Sequence, residues 1–298
     1  VLDDERLRQK TNERGNALMI QEACQIIMGK SNIKNLDIDY LLAGDLINQM
    51  TPTSFAAKEL AVSFIGLFSA CATSVSSVIV AALLTELGAS ELALAGASSQ
   101  HNSVERQFRY PVDYGAQKPA TAQWTVTAAG FALIGKHNEQ SPYIDAATVG
   151  KVVDYGATDP FHMGGAMAPA AFDTIQKHLQ NSGRKLADYD VIMTGDLGKI
   201  GLKILQAMFA QSGVKKEDLQ RFRDAGAEFY GEEAAFQAGA SGAGCSAAVY
   251  FSYVDAQFRT GRYKRVLLVA TGALLSPLSY QQGETIPCIA HAIEVAMK

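Results

Sequence analysis

The feature that most constrains this chain is an internal duplication. Residues 39–46 (DYLLAGDL) and 190–197 (DVIMTGDL) are each a short apolar run closed by Gly-Asp-Leu. Each is preceded by a helical pattern: Ile20, Ala23, Cys24 and Ile27 share one face in the first copy, and Ala171, Phe172, Ile175 and Leu179 do so in the second. Downstream, Phe68-Ser69-Ala70-Cys71-Ala72 corresponds to Gly242-Ala243-Gly244-Cys245-Ser246, and each cysteine opens another helical pattern. Buried-strand runs follow at 92–96 and 266–270, and a last apolar strand at 125–135 and 289–297. Strands alternating with helices point to mostly parallel sheets covered by helices, here in two copies related by a pseudo-twofold axis. The expected halves are residues 1–138 and 139–298. The strand-like run 143–149 opens the second half and has no counterpart before Ala17, so the first half is expected to lack its opening strand; the sequence also begins without Met.

Bulk properties narrow the function classes. With 298 residues, 48% of them hydrophobic and 19% charged, the chain buries a large core. A formal charge of -4 leaves no basic field to gather nucleic acid or anionic lipid, so an anionic ligand has to be met by local donors. The longest apolar run, Val75 to Leu84, contains Ser76 and Ser77 and falls far short of the roughly 20 residues of a membrane span. The charged start lacks the apolar core of a secretion signal, so an intracellular protein, at most peripheral to a membrane, is expected. Four widely spaced cysteines, Cys24, Cys71, Cys245 and Cys288, show no metal-type spacing and are read as reduced thiols.

Cys71 is the strongest chemical signal. It lies between the apolar strand 63–68 and a helix expected from about Ala72 to Leu87, with Gly88 as its left-handed cap. A helix N-terminus presents unpaired N–H groups and the positive end of the dipole, which favour a thiolate or a bound anion. The competing reading is a packed core thiol, which is the reading we give Cys24.

The tandem halves and the string Ala70-Cys71-Ala72-Thr73-Ser74 at a strand-to-helix turn resemble the thiolase superfamily over almost the whole chain. The resemblance implies an α/β thiolase fold, a five-layered αβαβα arrangement of the two halves, with the cysteine at the position of the acyl-accepting nucleophile. Condensing enzymes of that superfamily carry a histidine after the strand that here ends in Thr194-Gly195-Asp196-Leu197, where this sequence has none. They carry an asparagine in the loop matching 242–246, where this sequence has Ala243, and a glycine-rich loop where it has Glu284-Thr285-Ile286-Pro287-Cys288. A cysteine nucleophile needs a base and oxyanion donors, so no catalytic residue is assigned. Cys288 and His291 are weak substitutes, because the glycine-rich setting of a thiolase is missing around them.

Longer strings, 42–49 (LAGDLINQ), 105–111 (ERQFRYP), 166–171 (AMAPAA) and 270–277 (ATGALLSP), resemble the stage V sporulation protein AD family of spore-forming bacteria. That resemblance implies binding of dipicolinic acid, membership of the stage V sporulation membrane machinery that moves it into the developing spore, a peripheral place at the spore inner membrane, and a homodimer. Dipicolinate is a planar dianion, so its pocket wants N–H donors and apolar walls. The expected ligand-binding residues are Cys71, Ser74 in the same helix, Asp45, and His101 with Asn102 in a polar loop 98–103. No cofactor is expected beyond calcium accompanying the dianion, for which an exposed Asp45 would be an oxygen ligand. Against this, Asp45 and Asp196 at equivalent strand ends read more simply as helix caps. Arg106 and Arg109, flanking Phe108 and Tyr110, read as a subunit contact ahead of an anion site. His162 reads as part of a turn, and His291 as a hydrogen-bonded core histidine. Two rivals stay open: an acyltransferase or condensing enzyme using Cys71, and a scaffold of a spore membrane complex with a vestigial pocket.

Overall fold

The structure is a computed structural model that describes residues 4–108, 118–136, 138, 141–231 and 233–297. The first part of the chain runs α1 (Asn12–Lys30), β1 (Tyr40–Gly44), α2 (Thr51–Leu60), β2 (Ser63–Gly66), α3 (Thr73–Glu86), β3 (Leu92–Ser99), α4 (His101–Phe108), β4 (Trp124–Thr125) and β5 (Ala128–Gly135). The second runs β6 (Tyr143–Val149), α5 (Met163–Ser182), β7 (Val191–Thr194), α6 (Gly198–Gln211), α7 (Lys216–Leu219), β8 (Phe222–Asp224), α8 (Ala225–Phe229), β9 (Ala240–Ser241) and α9 (Ala243–Ala248). A π-helical stretch (Val249–Val254) carries α9 into α10 (Asp255–Arg259), and β10 (Arg265–Ala273), α11 (Pro277–Gln281) and β11 (Cys288–Ala296) complete the fold.

One sheet has the strand order β2-β1-β3-β5 and the other β6-β11-β10-β7-β8, so β1, β2, β3 and β5 correspond to β7, β8, β10 and β11. Among the described residues no strand lies outside β5 where the second sheet has β6. The described pairings are mostly parallel, as expected, with antiparallel exceptions toward one edge of each sheet. The β3–β5, β10–β11 and β11–β6 pairings are antiparallel. Among the described residues, the only helices in the links into β5 and β11 are the short α4 and α11, and a strand re-entering from the end where its predecessor left runs the opposite way.

Alternation along the strands builds the five layers. Leu42 and Ala95 face inward, in one core with Val75 and Ile79 of α3, Cys245 of α9, and Met193 and Leu268 of the second sheet. Their neighbours Leu41, Ala43 and Leu94 face outward to Ile20 and Cys24 of α1 and Leu60 of α2. Ile192, Leu267 and Val269 likewise face outward to Ile175 of α5 and Leu205 and Phe209 of α6. The period of two on each strand thus feeds two opposed cores, with α3 and α9 sandwiched between the sheets. Cys24 is fully buried in the outer core, as read from its helical stripe.

The two middle helices also meet through side chains. Ser74 Oγ lies 2.7 Å from Ser246 Oγ, both fully buried, joining α3 to α9. No helix among the described residues is long and apolar enough to cross a membrane.

Candidate functional site

Cys71 sits where the chain turns from β2 into α3, and the turn is strained. Ala70 has φ +49°, a left-handed conformation that costs a residue with a Cβ and persists only where the surroundings hold it. Thr73 does much of the holding, since its hydroxyl donates to the Ala70 carbonyl at 2.6 Å and accepts from the Ser69 N–H at 3.0 Å. Across the interface Gly272 of β10 packs flat on this turn, and a Cβ there would lie 2.4 Å from the Ser69 carbonyl oxygen. The result is a thiol held at the sheet-to-helix junction, 8% exposed.

That thiol lines a small, partly open pocket with a cavity volume of about 40 Å³. Its walls are mostly apolar: Leu46 and Phe68 beside the turn, Val104 and Phe108 of α4, and Met163, Ala273 and Leu275 from the second half. Thr125, Ser241 and Gly242 supply the polar lining. Ser241 is 1% exposed and its hydroxyl finds no hydrogen-bond partner among the described residues, so it is available to a group that enters the pocket. None of the described lining residues carries a positive charge.

Behind the pocket wall stands Asp196. Its carboxyl accepts the Thr271 hydroxyl at 2.8 Å, the Gly242 N–H at 3.1 Å and a hydrogen bond from the Cys71 thiol. Burial pushes Asp196 up to about 7; the bonds from Gly242, Cys71 and Thr271 work against that rise, and the charge of Asp224 adds to it. The capping expectation therefore fails for Asp196. The loop into α6 is held instead by Asp224 at the end of β8. Asp224 accepts the Leu197 N–H at 2.8 Å, the Gly198 N–H at 2.9 Å, the Ala227 N–H at 2.8 Å and the Thr194 hydroxyl at 2.7 Å.

Asp45, the counterpart of Asp196, does cap. Its oxygens accept the Ile47 N–H at 2.8 Å, the Thr53 N–H at 2.9 Å and the Thr53 hydroxyl at 2.5 Å, with the residue fully buried. It is not exposed, as a calcium ligand would have to be, and does not line the pocket; among the described residues no group of three or more His, Cys, Asp or Glu side chains is placed to hold a metal ion. Ser74 is one turn deeper than Cys71 and is spent on Ser246.

His101 and Asn102 need a correction. The polar string 98–103 is not a loop: β3 runs to Ser99, and α4 begins at His101. His101 is not among the lining residues of the pocket; its Nδ1 lies 2.7 Å from the Thr125 carbonyl oxygen and its ring is stacked on Trp124 at 5.5 Å. Asn102 Nδ2 reaches Glu5 at 3.5 Å. The same helix sends Val104 and Phe108 into the pocket, a pair at i and i+4 that helical periodicity would have found. Arg106 pairs with Glu13 of α1 within the chain, while Arg109 and Tyr110 lie outside the described residues.

The remaining histidines and cysteines read from the sequence occupy structural places. His162 precedes α5, its N–H bonded to the Asp159 carbonyl at 3.1 Å. His291 Nδ1 accepts the Gly150 N–H at 3.3 Å, and its Nε2 lies 3.3 Å from Ser69 Oγ; burial pulls its pKa down. Cys245, at the start of the partner helix α9, is fully buried with Sγ 3.7 Å from the Gly195 carbonyl oxygen. Cys288 is also fully buried, Sγ 3.5 Å from the Ile286 carbonyl oxygen.

Comparison with known proteins places these features in a family. The sequence pattern of the family described as stage V sporulation protein AD matches residues 1–296. Stage V sporulation protein AD of Bacillus subtilis (strain 168) is 44% identical over 297 residues, covering 98% of this chain and 85% of that protein. Among solved structures, 3-oxoacyl-[acyl-carrier-protein] synthase III from Aquifex aeolicus VF5 superposes with a TM-score of 0.61 at 12% identity, over 94% of this chain and 84% of that one. OleA from Xanthomonas campestris gives 0.63 at 14% identity, over 94% and 82%. At these identities the two likenesses show the thiolase-like fold.

Proposed function

The chain belongs to the stage V sporulation protein AD family, and from that premise we propose that it binds dipicolinic acid without transforming it, at the pocket beside Cys71. In this reading it works as a homodimer and as a peripheral partner of the stage V sporulation membrane proteins that move dipicolinate into the developing spore. The observation that carries the binding role is the pocket itself: a strained turn and a helix N-terminus, apolar walls suited to an aromatic ring, and the unpaired hydroxyl of Ser241. The helix N-terminus and Ser241 would meet carboxylate oxygens, and Phe68, Val104 and Phe108 would flank the ring.

Two features favour binding over chemistry. The resemblance to condensing enzymes implies a histidine after the strand that here ends in Thr194-Gly195-Asp196-Leu197 and an asparagine in the loop 242–246; this sequence has no histidine there and has Ala243 in the loop, so neither proton transfer nor oxyanion stabilisation is expected from these places. The Cys71 hydrogen bond to Asp196 also ties up the thiol proton. The rival reading, acyl transfer by Cys71, draws on that same contact, with Asp196 as an unconventional base. Calcium, in the binding reading, would arrive on the ligand, because Asp45 has no oxygen to spare.

Titration calorimetry with dipicolinate, with and without calcium, tests the proposal on wild type and on Cys71→Phe, which fills the pocket. Saturable binding of one ligand per chain by wild type, lost in Cys71→Phe at unchanged melting temperature, is the expected result. No heat from wild type in either condition contradicts it.

A further inference from the structure

The pocket combines two electrostatic features that oppose one another. The N-terminus of α3 and the Ser241 hydroxyl favour an anion. Asp196 opposes one: its carboxyl is 1% exposed and bonds directly to two lining residues, Cys71 and Gly242. Among the described residues, the titratable groups that act most strongly on Asp196 are not cations. Cys71 faces it from the start of α3, Cys245 from α9, Tyr250 from the π-helical stretch, Asp224 from β8 and Cys288 from β11. An ionised Asp196 and an anion in the pocket would be two like charges in a poorly screened interior.

We propose that Asp196 is the proton acceptor of this site: an anionic ligand seated against Cys71 enters together with one proton, which is held on the Asp196 carboxyl. The inference rests on the binding role proposed above and adds a coupled proton to it. Asp196 already holds its proton up to near neutral pH, and a neighbouring anion strengthens that hold. Protonation keeps the local hydrogen bonds, because the Gly242 N–H and the Thr271 hydroxyl still find an acceptor oxygen and the Asp196 O–H gains the ligand or the Cys71 sulfur as its own acceptor. His291 is the other candidate on this side of the molecule. Its Nδ1 accepts the Gly150 N–H, so a proton there would break an existing bond, and the proton goes to Asp196 in preference.

The test is calorimetry with dipicolinate between pH 6.5 and 8.5, in phosphate and in Tris, whose ionisation heats differ. Both dipicolinate carboxylates stay ionised across this range, so the ligand itself takes up no proton. Wild type is expected to weaken up to about tenfold per pH unit toward pH 8.5 and to show heats that depend on the buffer, as uptake of one proton requires. Asp196→Asn is expected to bind with an affinity constant within about twofold and with equal heats in the two buffers, while His291→Gln keeps the wild-type behaviour. Binding by wild type that is independent of pH and buffer overturns the proton coupling and leaves the binding role standing, a result that needs no variant to fold. Coupling lost in His291→Gln and kept in Asp196→Asn moves the proton to His291 and also overturns it. Absence of binding by wild type at every pH instead removes the binding role on which the inference rests.

Discussion

The two Gly-Asp-Leu strand ends start from nearly the same sequence and finish with different work. At the end of β1, Asp45 turns back into its own half and holds the first turn of α2 through Thr53 and the preceding loop through Ile47. At the end of β7, Asp196 turns into the middle of the molecule, where it meets Cys71 of the other half together with Gly242 and Thr271 of its own. The difference is made possible by Asp224, which satisfies the N–H groups of Leu197 and Gly198 and leaves Asp196 without a capping duty. Duplication supplied two equivalent carboxyls, and a third carboxyl from β8 released one of them for the pocket. The cysteines divide in the same way: Cys71 opens onto a pocket, and Cys245 is sealed in the middle layer.

The comparison breaks most visibly if the capping carboxyls are removed. Asp224→Ala leaves three backbone N–H groups and one hydroxyl without their buried acceptor, and the expected loss is about 4 kcal/mol in denaturant unfolding. Asp45→Ala should lose about 3 kcal/mol by the same measurement. An Asp224→Ala protein as stable as wild type would mean that Asp196 turns back to cap, and the division of labour would fail.

Asp196 predicts a pH dependence of opposite logic. Its folded pKa of about 7 stands above the ordinary carboxylate value of 3.8, so the folded chain binds the extra proton. That contribution is complete below pH 4 and is lost as pH rises through 7. Asparagine cannot titrate, so Asp196→Asn should gain on wild type by about 2 kcal/mol between pH 5 and pH 7, read from paired denaturant curves. Taking the difference between the two proteins cancels groups common to both, including His178, which burial holds down to about 4 and which destabilises the fold in the opposite direction as pH falls below 6.5. The smallest effect is expected at the contact between the middle helices. Ser74→Ala should cost about 1 kcal/mol and leave ligand affinity unchanged, because Ser246 keeps its bond to the Ala243 carbonyl.

Much of the architecture was legible because duplication and strand periodicity are local signals that packing cannot reverse. The paired runs 92–96 and 266–270 became β3 and β10, and the cysteine turn opened α3 as its flanking pattern required. What stayed hidden depends on tertiary contacts. Asp196 and Asp45 share their local sequence, so nothing near them tells a cap from a pocket wall; Asp224 decides that from another strand. Ser241 carries no local sequence signal, and only tertiary packing places its unpaired hydroxyl in the pocket lining. His101 and Asn102 were read by composition as a loop, when the apolar spacing of Val104 and Phe108 already favoured a helix with an inward face.

The central claim is that the fold kept the cysteine turn of the condensing enzymes as a binding wall. Release of free thiol from an acyl thioester, followed with purified wild type and Cys71→Ala, tests it directly. The account predicts the same background rate for both proteins and an unmodified intact mass. Release that depends on Cys71, with an acyl group retained on that residue, would contradict it.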